Sequence, residues 1–520
     1  MNPKDSDMNY PIGIQTFSDI ITDDYAYVDK TEMVYRIANS GKCYFISRPR
    51  RFGKSLLLST FESYFKGRRD LFEGLAISAM EKEWTEYPVL RLDLNSKNYT
   101  EADALTAELN KHLEQWETLY GNEFSNRSTE ERFYHVIANA YNKTGQKVVI
   151  LIDEYDKPLL QTSDIPELQE KNRATLKAFY GNLKTCDNYI RFAFITGVTK
   201  FSKISIFSDL NNLDDITFSN VYSTLCGITE EELHSYFDEG IGELAATEGV
   251  CKEECYRKLK EYYDGYLFSV GGEHVYNPFS VLKTLKQMQF GEYWYETATP
   301  EFLVKRLQDT EYDLERITNE ETTAGDLSSL NFSDPNPLPL LYQSGYLTIK
   351  GHDSEFGTFT LGFPNREVER GFTRLLSNHY IPREKGSATF ALSSFVREIR
   401  SGNTESFMTR MAAMFADGNY QVIGDCEIYF QNTMYVFFKM LGFHVEVERH
   451  TSRGRIDAVM QTKDYVYIIE IKTDQSADIA LRQIEEKGYA TPFATDPRKL
   501  IRIGINFNTR HRCIDDWKVV

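Results

Sequence analysis

Residues Cys43–Ser47 (CYFIS) run into Arg48-Pro49-Arg50-Arg51-Phe52-Gly53-Lys54-Ser55 and then into the helical pattern LLLSTFESYF. A strand, a loop ending Gly-Lys-Ser and a helix make the second half of a phosphate-binding loop. Glycine lets the backbone approach an anion, and the helix start offers free N–H groups at the positive end of its dipole. The lysine reaches β- and γ-phosphates and the serine hydroxyl ligates Mg²⁺. Arg48 stands where G-x-x-x-x-G-K-[ST] has its first glycine. The motif is degenerate there, and Gly-Lys-Ser alone is a weak signal.

A second element strengthens it. Val148-Val149-Ile150-Leu151-Ile152 ends in Asp153-Glu154, an apolar strand carrying two acids of the kind that hold Mg²⁺ and activate water. In that role Asp153 holds the metal and Glu154 orients and deprotonates the attacking water. A further strand near Val89–Leu94 intervenes in sequence, and adjacent acids with an inserted strand mark the additional-strand class of P-loop ATPases. Thr196 ends the next apolar strand, where such folds place a polar residue that senses the γ-phosphate. The expected ATP-binding set is Arg48, Gly53, Lys54, Ser55, Asp153 and Thr196, with Ser55 and Asp153 on Mg²⁺ and Glu154 catalytic. Arg48, Arg50 and Arg51 crowd the loop beside Lys54. Like charges so close repel, so at least one is expected to contact the triphosphate or an acidic partner surface. The competing reading is an ordinary α/β core with a Gly-Lys-Ser turn and a strand capped by exposed acids.

The rest of the chain bounds the function. Its 520 residues leave room for two to four domains, and 41% hydrophobic with 26% charged residues excludes a disordered, collagen-like or coiled-coil protein. The net charge of −18 excludes a basic coat for nucleic acid. Residues 401–520 hold 15 basic and 16 acidic residues, so nearly all of that charge falls on the first 400. Seven scattered cysteines fit a reducing compartment, and Cys251 and Cys255 read as small buried thiols. The start, MNPKDSDMNY, has no apolar core, and no run approaches the ~18 apolar residues of a membrane span. A cytoplasmic protein without membrane contact is expected.

Strands alternate with helical stretches at about 101–120, 129–141 and 169–184, which argues for a parallel sheet covered on both faces. Residues 228–315 read as mostly helical, with Asn277-Pro278 as a helix start. Residues 317–339 read as a polar linker or exposed loop, followed by a small mixed region to about 385. The expected division is 1–227, 228–400 and 401–520.

Several motifs together resemble the bacterial AAA-ATPase-like family: Pro11-Ile12-Gly13-Ile14-Gln15, Tyr27-Val28-Asp29-Lys30-Thr31, Arg48 to Ser55, and Leu151-Ile152-Asp153-Glu154-Tyr155-Asp156. Thr196-Gly197-Val198-Thr199-Lys200, Tyr263-Asp264-Gly265-Tyr266 and Tyr276-Asn277-Pro278-Phe279-Ser280 belong to the same set. In that family RPRRFGKS is itself the usual loop. The resemblance spreads over about 10–385 and implies ATP binding, but no substrate.

Near the C-terminus, Gly454-Arg455-Ile456-Asp457-Ala458-Val459-Met460 and Tyr465-Val466-Tyr467-Ile468-Ile469-Glu470-Ile471-Lys472 read as two strands of a hairpin. Period two puts Glu470 and Lys472 on one face. Asp457 on the partner strand supplies a second carboxylate. Two acids that bind Mg²⁺ and a lysine that positions the nucleophile suit phosphodiester hydrolysis; a surface ion pair at a sheet edge is the alternative. These residues are similar to the PD-(D/E)XK nuclease superfamily over about 405–515, together with Glu427 in a helix and Gln483, Lys487 and Tyr489 after the hairpin. Ile456 stands where the superfamily's name has proline. The resemblance implies Asp457, Glu470 and Lys472 as catalytic, Asp457 and Glu470 as Mg²⁺ ligands, and Glu427, Gln483, Lys487 and Tyr489 as nucleic-acid contacts. Arg498-Lys499, Arg502 and Arg510-His511-Arg512, with Phe507 and Trp517 near, read as a backbone-tracking surface or a solvated face.

The fold expected is therefore α/β. It comprises a P-loop NTPase of additional-strand, AAA-like type, a helical and winged-helix-like middle, and a C-terminal restriction-endonuclease-like α/β domain. The function expected is an ATPase whose nucleotide state controls a Mg²⁺-dependent nuclease acting on DNA before RNA, in a homo-oligomer. The alternative is a nucleotide-dependent scaffold whose C-terminal fold binds nucleic acid without cutting it.

Overall fold

Apolar strands without polar alternation need cover on both faces, and the first sheet supplies it. The computed structural model describes the chain apart from residues 1–8, 202–211, 299–300, 319, 329, 331–333, 382–391, 417–425, 443 and 449–457. Strands β1 (Cys43–Ser47), β2 (Val89–Asp93), β3 (Val148–Asp153), β4 (Ile190–Gly197) and β5 (Asp214–Asp215) form one parallel sheet in the order β2-β3-β4-β1-β5. β1 and β3 are buried along their whole length, as parallel strands between helical layers must be. The strand that intervenes in sequence, β2, lies at the sheet edge. The strand that intervenes in space between the loop strand and the acidic strand is β4.

Register sets the site. Ile46 pairs with Thr196 and Ser47 with Gly197, while Ile152 pairs with Ile195. The carboxyl ends of β1, β3 and β4 therefore finish level, the crevice where open α/β sheets bind ligands. Gly197 is required by close approach. A Cβ there would lie 2.7 Å from the Tyr155 ring and 2.8 Å from Asp156 Oδ1.

Helices Glu230–Glu248, Lys252–Tyr263 and Pro278–Gln287 pack around Leu233, Phe237, Leu259, Tyr263 and Val281. A Thr229–Glu232 capping box starts the first. Asn277 caps the third by accepting from Ser280 N at 3.0 Å, with Pro278 in its first turn.

The polar stretch expected as a linker is largely structured. It contains β6 (Glu321–Thr323), a short helix Ala324–Leu327 started by a Thr323–Asp326 capping box, and the first residues of helix Leu338–Gln343. Buried Thr322 and Leu327 anchor it. Strands β7 (Thr348–Asp353) and β8 (Thr358–Gly362) follow, and the antiparallel order is β6-β8-β7. A strand, two helices and a hairpin in this order make a winged-helix-like element.

The chain divides into two compact units, residues 1–298 with 318–368, and residues 299–317 with 369–520. Residues 369–400, expected in the middle region, belong to the second. In that unit β9 (Glu446–Glu448), β10 (Ala458–Gln461), β11 (Tyr465–Thr473), β12 (Lys499–Asn508) and β13 (Cys513–Val519) form a mixed sheet ordered β13-β12-β11-β10-β9. Only β11 and β12 run parallel, joined by the crossover helix Ala477–Glu486. Helix Cys426–Gly442 packs its Phe430, Phe437 and Leu441 with Tyr467 and Ile469 of β11. Val466 and Ile468 face the other way, into a cluster with Ile484 and Tyr489. No helix among the described residues is long and apolar enough to cross a membrane.

Candidate functional site

The loop after β1 turns through left-handed backbone at Arg51 (φ +68°) and Gly53 (φ +90°), and Gly53 caps helix Lys54–Phe65. A Cβ at Gly53 would meet open space, so its role is backbone freedom rather than room. Lys54 is buried and donates to the carbonyls of Arg48 (2.9 Å) and Pro49 (3.0 Å). Arg48 N donates to Gly197 O at 3.1 Å, which fixes the loop against β4.

The side chain of Arg48 goes elsewhere. It is 1% exposed; Nη1 donates to the carbonyls of Ser47 and Thr217 (both 2.8 Å) and Nη2 to that of Tyr222 (3.3 Å). The guanidinium lies 4.2 Å from the Phe268 ring centroid, and burial lowers its pKa. It takes the place of a loop glycine without joining the cavity described below.

β3 ends in Asp153, whose Oδ1 accepts from Thr196 Oγ1 at 2.7 Å; both residues are buried. Glu154 follows with φ +49°, a left-handed turn at a non-glycine residue that redirects the chain. Burial pushes its carboxyl up, against the pull of Lys54 and Arg50. Asp156 serves the scaffold. It accepts from Val198 N, from Thr199 N (2.6 Å) and from Thr199 Oγ1 (2.7 Å), tying the turn after β3 to the one after β4.

Gly53, Lys54, Ser55 and Glu154 line one cavity of about 420 Å³, within the range of small-molecule sites. Arg50 and Arg51 line it too, and Arg51 Cζ lies 4.9 Å from the Phe279 ring centroid. An apolar pocket of about 110 Å³ adjoins it, sharing Pro11, Gly53, Leu56, Pro278 and Leu282. The Pro11–Gln15 motif, which carried only a resemblance in the sequence, and Pro278–Phe279, read there as a helix start, are thus cavity walls. Lys157 and Asn95 also line the cavity, and sequence reasoning missed both. The signal was a lysine four residues after Asp153. Ser55 and Asp153 are hard oxygen donors of the kind Mg²⁺ takes.

In the second unit, Glu470 is 2% exposed, and its Oε1 accepts from Lys472 Nζ at 2.7 Å and from Gln483 Nε2. Gln483 Nε2 also lies 3.5 Å from the buried Tyr489 hydroxyl. Four residues from the expected set therefore meet on the face that the crossover helix covers. Asp457 lies outside the described residues; its successor Ala458 pairs with Ile469, the predecessor of Glu470. Lys487 is exposed and caps the helix rather than sharing the Gln483 contact. Glu427 is exposed in the first turn of helix Cys426–Gly442 and accepts from Gln431 at 3.4 Å. Of the expected basic surface, Lys499, Arg510 and His511 are exposed, whereas other members are engaged. Arg498 pairs with Asp496 (2.6 Å), Arg502 with Glu485 (3.3 Å), and Phe507 is a core residue stacked on Phe430, because β12 is buried on both faces. Among the described residues no group of three or more His, Cys, Asp or Glu side chains is placed to hold a metal, and Cys255 is buried in the helical core.

Two family models match the chain, a predicted AAA-ATPase over residues 11–207 and the PD-(D/E)XK nuclease superfamily over residues 425–517. The chain is 34% identical over 515 residues to a protein of Azotobacter chroococcum mcd 1 described as "Uncharacterized protein in vnfD 5'region", covering 97% of each. Among solved structures, the ORC2 protein of Aeropyrum pernix in its ADPNP–ADP complexes aligns with 67% of this chain and 92% of its own. That alignment has 10% identity and a TM-score of 0.25, too low to carry an argument.

Proposed function

We propose, for a chain that belongs to the family of predicted AAA-ATPases and ends in a PD-(D/E)XK nuclease superfamily domain, that it hydrolyses ATP and that nucleotide state governs metal-dependent cleavage of nucleic acid, DNA before RNA. One observation carries the reading: Gly53-Lys54-Ser55 and the sequence-distant Glu154 line a single cavity together with Arg50 and Arg51. An excess of cations over acids in a concave site suits a polyphosphate.

In this reading Lys54 leaves its loop carbonyls for phosphate oxygens. Gly53 opens the backbone, and the helix N-terminus faces the anion. Ser55 and Asp153 would hold Mg²⁺, which supplies charge neutralisation to the phosphates. Thr196 fixes the Asp153 carboxylate, and Glu154 takes the proton of the attacking water. The adjoining apolar pocket suits a flat base. In the nuclease domain Glu470 and Asp457 would hold a divalent ion that polarises the phosphodiester. Lys472 and Gln483, both already on Glu470, position the nucleophile and the phosphate. The functional division is 1–227 for the ATPase domain, a middle region from 228 to 368, and a nuclease unit from 369 that takes in 299–317, with a homo-oligomer as the working assembly.

The test is turnover on the full chain. Wild type should hydrolyse ATP with Mg²⁺, and Glu154→Gln should bind ATP without turnover. Supercoiled DNA should be nicked only by wild type supplied with both ATP and metal, and Glu470→Gln should remove nicking while sparing ATP turnover. Nucleotide turnover without cleavage of any DNA or RNA offered replaces the nuclease with a non-cutting scaffold. Absence of ATP binding overturns the whole reading.

A further inference from the structure

The cavity has a cation that does not come from its phosphate loop. Lys157 begins the short helix Lys157–Leu160 just after Glu154 and lines the same cavity as Lys54. Its ammonium is held in place, donating to the Asn95 backbone carbonyl and to Asn95 Oδ1 (2.7 Å). Asn95 is itself fixed, because its N–H donates to Asp93 Oδ1 at 2.8 Å at the end of β2. Glu154, Lys54 and Lys157 line this one cavity together. Lys54 follows β1 and Lys157 follows β3, so cations from the ends of two different strands line the cavity with the acid. Arg50 and Arg51 line the cavity from the β1 loop, whereas two arginines near β4 in sequence are engaged elsewhere. Arg173 is paired with Glu170, while Arg191 bonds to Asn39 and lies over Tyr87. Neither lines the cavity.

We propose that Lys157, poised by Asn95, is a further phosphate-contacting cation, supplied in cis from outside the phosphate loop, and that it distinguishes a nucleoside triphosphate from a diphosphate. This rests on the ATPase reading. Charge develops on the transferring phosphoryl group and its leaving oxygen, and a cation already held beside the acid stabilises that charge without reorganising. Lys54 serves both nucleotides; Lys157 serves the terminal phosphate alone.

The experiment uses the full chain and measures dissociation constants for ADP and for a non-hydrolysable ATP analogue, with ATP turnover and melting temperature alongside. Lys157→Met should leave ADP affinity within about twofold, weaken the analogue about tenfold and lower kcat about tenfold or more. The melting temperature should not move. Lys157→Arg should recover most of the analogue affinity, because the charge returns. Asn95→Ala should show a smaller loss of the same kind, since the backbone acceptor remains. A merely structural lysine would weaken both nucleotides together or lower the melting temperature, and either result overturns the proposal. If wild type prefers the analogue to ADP and Lys157→Met keeps that preference, the proposal fails while the ATPase reading stands. If wild type binds neither nucleotide, both fail.

Discussion

Lys54 Nζ and the carbonyl oxygen of Arg48 lie 2.9 Å apart, so the loop lysine bonds its own loop and holds it in the shape of an anion site. Lys54→Ala should abolish ATP binding measured by calorimetry. It should also cost about 1–3 kcal/mol of stability, because the buried carbonyls of Arg48 and Pro49 lose their donor. Unchanged ATP affinity in the variant would remove Lys54 from the site.

Arg48 makes a sharper case, because Arg48→Gly restores the first glycine of the consensus loop. The restored motif should bind ATP no better. The side chain holds the carbonyls of Thr217 and Tyr222 and stacks on Phe268, so its loss should lower stability by roughly 2–4 kcal/mol. Thermal unfolding with calorimetric titration checks both halves. Tighter ATP binding at an unchanged melting temperature would show that Arg48 is a defect in the loop rather than a strut.

These residues show where the sequence was legible. Gly53-Lys54-Ser55 and Asp153-Glu154 could be read because each is local, and because strands buried on both faces announce themselves as unbroken apolar runs. Period two in β11 put Glu470 and Lys472 on one face, and the structure keeps them there. Arg48 could not be read, since its acceptors Thr217 and Tyr222 lie on a distant segment brought back by the pairing of β5 with β1. Lys157 was not singled out in the sequence, because its partner Asn95 comes from the end of β2 and reaches it only through the pairing of β2 with β3. Phe507 misled for the opposite reason. A basic neighbourhood in sequence suggested a surface, but β12 lies between β11 and β13 and buries the ring.

Glu367 predicts a pH dependence. It is fully buried, accepting from Trp294 N (2.7 Å) and Ser280 Oγ (2.8 Å). Burial pushes its carboxyl up to about 8, with Glu292 adding to the rise and the two donors opposing it. The native state therefore holds a proton that the unfolded chain releases near the ordinary value of 4.5. Its stabilising contribution is complete below 4.5 and fades as pH rises through about 8, by on the order of a few kcal/mol. Glu367→Gln mimics the protonated form. Its melting temperature should match wild type near pH 4.5 and exceed it at pH 9. Equal melting temperatures across that range would mean that Glu367 does not carry the proton. Trp294 also donates from its indole to the Arg50 carbonyl, so ATP affinity should be followed in the same samples.

The nuclease-superfamily domain gives the last prediction, and four of its side chains should separate by behaviour. Glu470 Oε1 takes bonds from Lys472 and Gln483, which hold a buried carboxylate in the absence of an ion. If Glu470 and Asp457 hold a divalent ion, as proposed, Mg²⁺ or Mn²⁺ should raise the melting temperature of the full chain without nucleotide. Leaving nucleotide out matters, because the ATP site is expected to recruit Mg²⁺ chiefly through bound phosphates. Glu470→Gln and Asp457→Ala should each remove the rise. Lys472→Ala should keep it, since both carboxylates remain, while cleavage falls by about a hundredfold or more. Gln483→Ala should also keep the rise and lose less activity, because Lys472 still holds Glu470. Equal metal responses in wild type, Glu470→Gln and Lys472→Ala, with no cutting by any of them, would leave the non-cutting scaffold as the account that fits.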